Sequence, residues 1–179
     1  MTPMAGLPVE QVVAARLRDV PDFPKPGVLF KDITPLLGDG EAFGAVVRDV
    51  ARRHTGSVDI VVGIEARGFI LAAAVAFDLG IGMVPVRKSG KLPGQTLSRS
   101  YTLEYGMAEI EVHADSFQSG QRVLVVDDVL ATGGTAAATC ELVESAGALV
   151  VGVEVVLELG FLGGRSRLGA RRLHAILTL

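Results

Sequence analysis

The chain has 179 residues and a formal net charge of -3, with 49% hydrophobic and 21% charged residues, 22 glycines and 8 prolines. That composition excludes disordered and collagen-like structure, and the length suits a single domain, residues 1–179, whose core is aliphatic because the chain has no Trp. The acidic balance argues against nucleic acid as a partner, since phosphate contacts supply most of that affinity, yet it leaves anionic small molecules open. The apolar run from Phe69 to Phe77 stops at Asp78, short of the ~20 residues a membrane span needs. No membrane partner is expected. The opening MTPMAGLPVEQVVAARL has no basic segment followed by an apolar run, so a cytoplasmic location is expected. Cys140 is the single cysteine, and His54, His113 and His174 are widely spaced, so no metal held by protein ligands alone is expected.

In chain order, Val9, Val12, Val13, Leu17 and Val20 recur at helical spacing and predict an amphipathic helix that ends before Pro21. Pro21, Pro24, Pro26 and Pro35 make the next segment a stiffened loop. A helix is predicted from about Glu41 to His54, then a buried strand at VDIVVGI and a helix from Gly68 to Leu79. MVPV and VLVVDD are further strands, and a helix from Gly134 to about Ala146 is capped by Gly147. Strands at Leu149–Leu157 and near His174–Leu177 complete an alternation that implies an α/β fold with a mostly parallel sheet. Lys88 to Arg99 is expected to be a mobile loop, followed by an antiparallel hairpin through YTLEYG and AEIEVH.

The most informative stretch is VLVVDDVLATGGT, Val123 to Thr135. An apolar strand delivers Asp127 and Asp128 to its C-terminal end, where ligands bind in open α/β sheets. Ala131, Thr132, Gly133, Gly134 and Thr135 then lead into a helix, where close-approaching backbone N–H groups and the helix dipole suit an anion. No Walker A loop and no GxGxxG fingerprint occurs, which removes the warrant for ATP or NAD. Two acceptor carboxylates beside a monophosphate cradle suit a sugar phosphate with a free diol, such as ribose 5-phosphate. Taken alone, an adjacent Asp pair also simply ends a strand.

This stretch resembles the phosphoribosyl pyrophosphate (PRPP) signature of the type I phosphoribosyltransferases. DFPKPGVLFKDITPLL, GIEARGF, VPVRKSGKLPG and SYTLEYG follow the same family order, and FPKPG with YTLEYG is similar to its adenine branch. The resemblance spans about residues 9 to 162. It implies a type I phosphoribosyltransferase-like fold: a mostly parallel twisted sheet flanked by helices, an N-terminal helix and base-binding hood over about 1–35, and a mobile catalytic loop and hairpin over about 88–113. It also implies a glycosyltransferase of purine salvage that joins adenine to PRPP, giving AMP and pyrophosphate. A competitor in the same class is a 6-oxopurine phosphoribosyltransferase, and one outside it is a PRPP-sensing regulator without catalysis. Mg²⁺ is implied as a cofactor bound mainly through PRPP and pyrophosphate, and a homodimer as the assembly.

By the same resemblance, Asp127, Asp128 and Ala131 to Thr135 hold ribose and 5-phosphate. GIEARGF binds pyrophosphate with Arg67, and a cis peptide is implied at Glu65–Ala66. Arg87, Lys88 and Lys91 form a cationic cluster suited to pyrophosphate, or else a solvated loop, and the resemblance gives Arg87 and Lys88 the contact and Lys91 the closing loop. Leu29 presents backbone to the base, Phe30 stacks on it, Leu159 covers its other face, and Lys31 stands where many members carry Arg. Glu104, between Tyr101 and Tyr105, is a carboxylate beside aromatic rings that would retain a proton if desolvated, and the resemblance makes it the catalytic residue toward the purine. Phe23 is expected in the core, Cys140 as a buried small hydrophobe, and Arg165, Arg167, Arg171 and Arg172 at a solvated surface or dimer rim.

Overall fold

The computed structural model describes residues 6–102 and 106–179. Glu104 and Tyr105 therefore lie outside the described residues. A seven-stranded sheet organises the fold. Its parallel strands are β3 (Ile60–Ile64), β4 (Gly82–Lys88), β7 (Arg122–Leu130), β8 (Leu149–Glu158) and β9 (Leu173–Thr178), and an antiparallel arm adds β5 (Thr96–Thr102) and β6 (Met107–His113) in the order β5-β6-β4-β3-β7-β8-β9.

The apolar runs of the central strands follow from burial on both faces. In β7, Leu124 and Val126 join one core cluster while Val123 and Val125 join the other, as alternation of side chains requires. On the first face lie α3 (Gly40–His54) and α4 (Arg67–Leu79), contributing Val46, Val50, Leu71 and Val75. On the second lies α5 (Gly134–Ser145), whose Ala136, Ala137, Ala138 and Cys140 let the helix sit close to the strands. Burial pushes the Cys140 thiol up to about 12, so it behaves as the small hydrophobe expected.

This arrangement sets the position of the site. Strand β3 and strand β7 are neighbours, yet the chain leaves β3 through α4 toward β4 and leaves β7 through α5 toward β8. Their C-terminal ends therefore diverge and open a crevice between two loops, the topological switch point of an α/β sheet.

Several expectations are corrected here. The first helix, α1, runs only from Val9 to Ala14, and Arg18–Pro21 forms β1, paired antiparallel with β2 (Leu29–Asp32). Leu17 and Val20 fit a helical period, but ion pairs across the hairpin, Arg18 to Asp32 at 2.5 Å and Lys31 to Asp19 at 2.7 Å, hold the extended form. A short helix, α2 (Thr34–Gly38), places Pro35 in its first turn, where a missing N–H does no harm. Phe23 is 51% exposed rather than in the core, its ring edge-on to Phe30 with centroids 5.1 Å apart. Lys88 and Thr96–Arg99 belong to strands, so the loop between β4 and β5 is only residues 89–95. The Glu65–Ala66 peptide is cis as expected, and Phe23–Pro24 is cis as well.

The base of the hairpin depends on Asp32, which accepts hydrogen bonds from the Thr34 hydroxyl at 2.5 Å, the Thr34 N–H at 2.9 Å and the Arg18 guanidinium. The Thr34 hydroxyl, then its N–H and the Arg18 guanidinium, lower the Asp32 pKa from 3.8 to about 2. A depressed carboxyl pKa stabilises the fold above its unfolded value, and the gain is lost as pH falls through the folded value. The stability difference between wild type and Asp32→Asn, measured by urea unfolding, is therefore expected to be constant above about pH 5 and to shrink toward zero near about pH 2. A difference independent of pH over that range would show that the ionised carboxylate contributes nothing.

Candidate active site

At the β7 edge of the crevice the two aspartates differ. Asp127 Oδ1 accepts the Asp128 N–H at 2.8 Å. Burial, and then the neighbouring Asp128 charge, raise the Asp127 pKa well above the ordinary carboxyl value. Asp128 is 6% exposed. Arg67 Nε lies 2.7 Å from its Oδ2, an ion pair by distance only, because no hydrogen bond reaches that buried oxygen. A buried acceptor without a donor is costly unless a ligand supplies one.

Close backbone approach brings the two loops together. A Cβ built on Gly68, in the first turn of α4, would stand 2.9 Å from Asp127 Oδ1 and 2.9 Å from the Val126 carbonyl oxygen. Past β7, Ala131 to Thr135 turn into α5 with Gly133 at φ +78°, lining a cleft of about 80 Å³ together with Asp127. A second segment packs against this turn. A Cβ on Gly133 would meet the Gly164 carbonyl oxygen at 2.2 Å, and one on Gly164 would meet the Ala131 carbonyl oxygen at 2.1 Å. From the other side, the Thr135 hydroxyl donates to Tyr101 Oη at 3.1 Å.

On the β3 side, Arg67 opens α4 directly after the cis peptide. Glu65 receives the Lys88 N–H at 2.9 Å, and Arg87 Nε lies 3.4 Å from the same oxygen. The Lys88 N–H, offset in part by burial, and the Arg87 guanidinium lower the Glu65 pKa, so an anionic carboxylate holds the Arg87 guanidinium and the backbone of Lys88. The backbone of Lys91 is held by Glu111, whose carboxylate accepts the N–H groups of Lys91 at 2.8 Å and Leu92 at 2.9 Å.

From the hairpin, Phe30 faces the crevice, with the Arg67 guanidinium 5.1 Å from its ring centroid. Leu29, beside it, is half exposed. Lys31 alternates to the other side and pairs with Asp19. Leu159 follows β8 and donates its N–H to the Leu130 carbonyl at 2.9 Å. Arg67 thus joins three parts of the chain: the ring of Phe30, the carboxylate of Asp128 and the loop after β3.

The chain matches the phosphoribosyl transferase domain family over residues 37–172. It is 61% identical over 176 residues, 98% of this chain and 94% of the relative, to an adenine phosphoribosyltransferase of Salinispora tropica. The chain belongs to the adenine phosphoribosyltransferases. Among solved structures it is similar to the adenine phosphoribosyltransferase of Thermoanaerobacter pseudethanolicus, with a TM-score of 0.91, 45% identity and 95% and 99% of the two chains covered. It is also similar to the Saccharomyces cerevisiae enzyme complexed with an imino-altritol bisphosphate and adenine, with a TM-score of 0.90, 37% identity and 94% and 98% covered.

In this adenine phosphoribosyltransferase chain, sequence reasoning passed over the residues that position others. Glu65 stood inside GIEARGF, so its signal was present. Glu111, in AEIEVH, had none. The Gly163–Gly164 pair was the only trace of the segment that packs against the cradle. A cavity of about 490 Å³ elsewhere, lined by Arg53, His54, Arg172 and His174, surrounds Glu154, whose carboxylate is already bonded by Arg53, His54 and His174. We read it as a structural charge cluster.

Gly164→Ala must displace the cradle, whereas a Cβ on Gly163 meets nothing within 4 Å, and Asn tolerates its left-handed backbone. Gly164→Ala is expected to lower kcat/KM for AMP formation by about a hundredfold, with Gly163→Asn close to wild type. Equal activities for the two variants would show that the approach of the segment does not shape the site.

Proposed function

We propose that the crevice between β3 and β7 is where this chain joins adenine to PRPP, forming AMP and releasing pyrophosphate, with Asp127 and Asp128 receiving the ribose 2- and 3-hydroxyls. The observation that carries this reading is the buried Asp128 Oδ2 without a hydrogen bond, set at the strand end beside a cleft of backbone amides. A diol supplies the missing donor. Asp127, whose raised pKa favours a retained proton, can exchange donor and acceptor roles with the second hydroxyl.

The remaining roles follow from charge and position. N–H groups of Ala131 to Thr135 and the α5 dipole hold the 5-phosphate. Arg67, Arg87, Lys88 and Lys91 neutralise pyrophosphate as it leaves, and Glu65 keeps Arg87 and Lys88 on the side facing it. Binding pyrophosphate draws Arg67 away from Asp128 and from the face of Phe30, which frees the carboxylate for ribose and the ring for adenine. Phe30 stacks on the base, Leu29 offers its backbone, and Leu159 closes the other face. Lys31, held by Asp19, supports the hairpin rather than reaching the base. Glu104 exchanges the proton of the purine, and Tyr105 belongs to the loop that excludes water.

As the glycosidic bond breaks, the anomeric carbon gains oxocarbenium character, and the Asp128 carboxylate favours that positive charge. The Asp128 carboxylate beside Asp127 suits a hard, oxygen-seeking cation carried on PRPP. Mg²⁺ held there through PRPP and pyrophosphate oxygens would supply further charge neutralisation to the leaving group.

The chain works as a homodimer in this reading. Ile70 and Phe77, 47% and 89% exposed, lie two turns apart on the outward face of α4, the helix that begins with Arg67, and a second copy would cover them. No helix among the described residues is long and apolar enough to cross a membrane.

With Mg²⁺ and PRPP, the chain is expected to form nucleotide from adenine in preference to hypoxanthine, guanine or xanthine, as read by chromatography of the products. PRPP binding with no nucleotide from any base would favour a sensor instead. Asp128→Asn is expected to lower kcat by about a hundredfold to a thousandfold with little change in adenine binding, and an unaltered kcat would remove that carboxylate from the reacting sugar. Joint replacement of Arg87 and Lys88 by Ala should raise the KM for PRPP strongly, and an unchanged KM would take both out of the pyrophosphate site.

A further inference from the structure

The cradle of residues 131–135 contains no cationic side chain. The cations that face the crevice from β3 and β4, Arg67 and Arg87, are already set against Asp128 and Glu65. A sugar 5-phosphate is a dianion near neutral pH, and backbone amides with a helix dipole offer only partial charges.

Residues 160–168 form two short 3-10 turns, Gly160–Leu162 and Gly164–Leu168. Gly164 is locked against Ala131 and Gly133 by the backbone contacts described above, and Leu168, 1% exposed, anchors the far end of the second turn in the core below α5. Between these two fixed points the chain carries Arg165 and Arg167. Arg165 turns to the buried Glu158 at 2.5 Å, and Arg171 beyond them turns to Glu144 at 2.6 Å. Arg167 turns instead to the cradle: a Cβ built on Gly134, the first residue of α5, would lie 3.8 Å from its Nη1 and 3.5 Å from Cδ2 of Tyr101.

Among the described residues Arg167 makes no ion pair and no side-chain hydrogen bond, although its two neighbouring arginines both do. A Cβ at Gly134 would stand in ordinary contact with the Thr102 carbonyl, the Tyr101 ring and the Arg167 guanidinium alike, so the three groups converge on the helix start. Tyr101 Oη, at the same point, accepts a hydrogen bond from the Thr135 hydroxyl, so arm, cradle and Arg167 meet around the first turn of α5.

We propose that Arg167 is the side-chain cation of the 5-phosphate site, reaching over Gly134 from the segment packed beneath the cradle to pair with the phosphate of PRPP and AMP. The inference rests on the reading of residues 131–135 as the 5-phosphate cradle. It gives the Arg-rich C-terminal segment a divided role: Arg165 and Arg171 fasten it, and Arg167 binds.

The test is calorimetric titration of ribose 5-phosphate and, separately, of pyrophosphate into wild type, Arg167→Ala, Arg167→Lys and Gly164→Ala. Arg167→Ala is expected to weaken ribose 5-phosphate by about tenfold to a hundredfold, the range of a hydrogen bond to a charged group, and to leave pyrophosphate binding unchanged. Arg167→Lys should recover part of the loss, because the charge remains without the planar fork. Thermal unfolding of each variant reports whether the fold is kept, and Arg167→Lys carries the test if the alanine variant does not fold. If wild type and Gly164→Ala differ in ribose 5-phosphate affinity but Arg167→Ala matches wild type, the role of Arg167 is overturned and the cradle stands. If wild type itself does not bind ribose 5-phosphate, both are overturned.

Discussion

Two neighbouring parallel strands that send their chains to opposite faces of the sheet create the space in which every other feature of this protein operates. Strand β3 is followed by α4 on one face and β7 by α5 on the other, so the backbone parts where the hydrogen-bonded ladder ends. The parting is narrow, because the first turn of α4 sets Gly68 against Asp127 and the turn after β7 rests on Gly164. A methyl group at either glycine would meet backbone or carboxylate at less than contact distance. The crevice is therefore shaped by backbone, which does not rearrange as side chains do, and the amides of the turn after β7 are held in place by that packing.

Charge is distributed on that frame by the same rule throughout. Carboxylates buried in β8 are each matched by guanidinium or imidazole groups, Glu154 by Arg53 and two histidines and Glu158 by Arg165, as burial of charge requires. At the crevice the matching is incomplete. Asp128 has a guanidinium near but no hydrogen bond to its buried oxygen, and Asp127 is pushed toward its protonated form. Among the described residues the other buried side-chain oxygen without a hydrogen bond is Thr139 Oγ1 within α5, so it is the place of Asp128 at the crevice that makes its missing donor one a ligand can supply. Second-layer carboxylates do the arranging: Glu65 gathers Arg87 and Lys88, and Glu111 sets the loop that carries Lys91.

The antiparallel arm is joined to this frame at α5. Arg99 pairs with Glu141 at 2.5 Å and Tyr101 bonds Thr135, so the strands on either side of residues 103–105 are anchored to the helix whose first turn forms the cradle. The turn of residues 131–135 and the two strands of the arm are consequently held by the same helix.

The linear order of residues by itself determined the alternation of strands and helices, the two-faced burial of the central strands, and the presence of an acidic strand followed by a glycine-rich turn into a helix. Those features depend on short-range pattern: apolar periodicity, caps and adjacent residue types. It did not determine that Leu17 and Val20 leave the helix for a hairpin, because the deciding contacts, Arg18 with Asp32 and Lys31 with Asp19, come from residues a dozen positions away. Nor did it show Phe23 outside the core, the short loop after β4, or the packing of Gly164 under Ala131. Only tertiary structure decided that Arg67, Phe30 and Asp128 meet at one point, and that Arg165 and Arg167, two residues apart in one basic run, face a buried carboxylate and an anion cradle. Local pattern specifies which groups a segment carries, while the partner of each long charged side chain is chosen by the packing of distant segments.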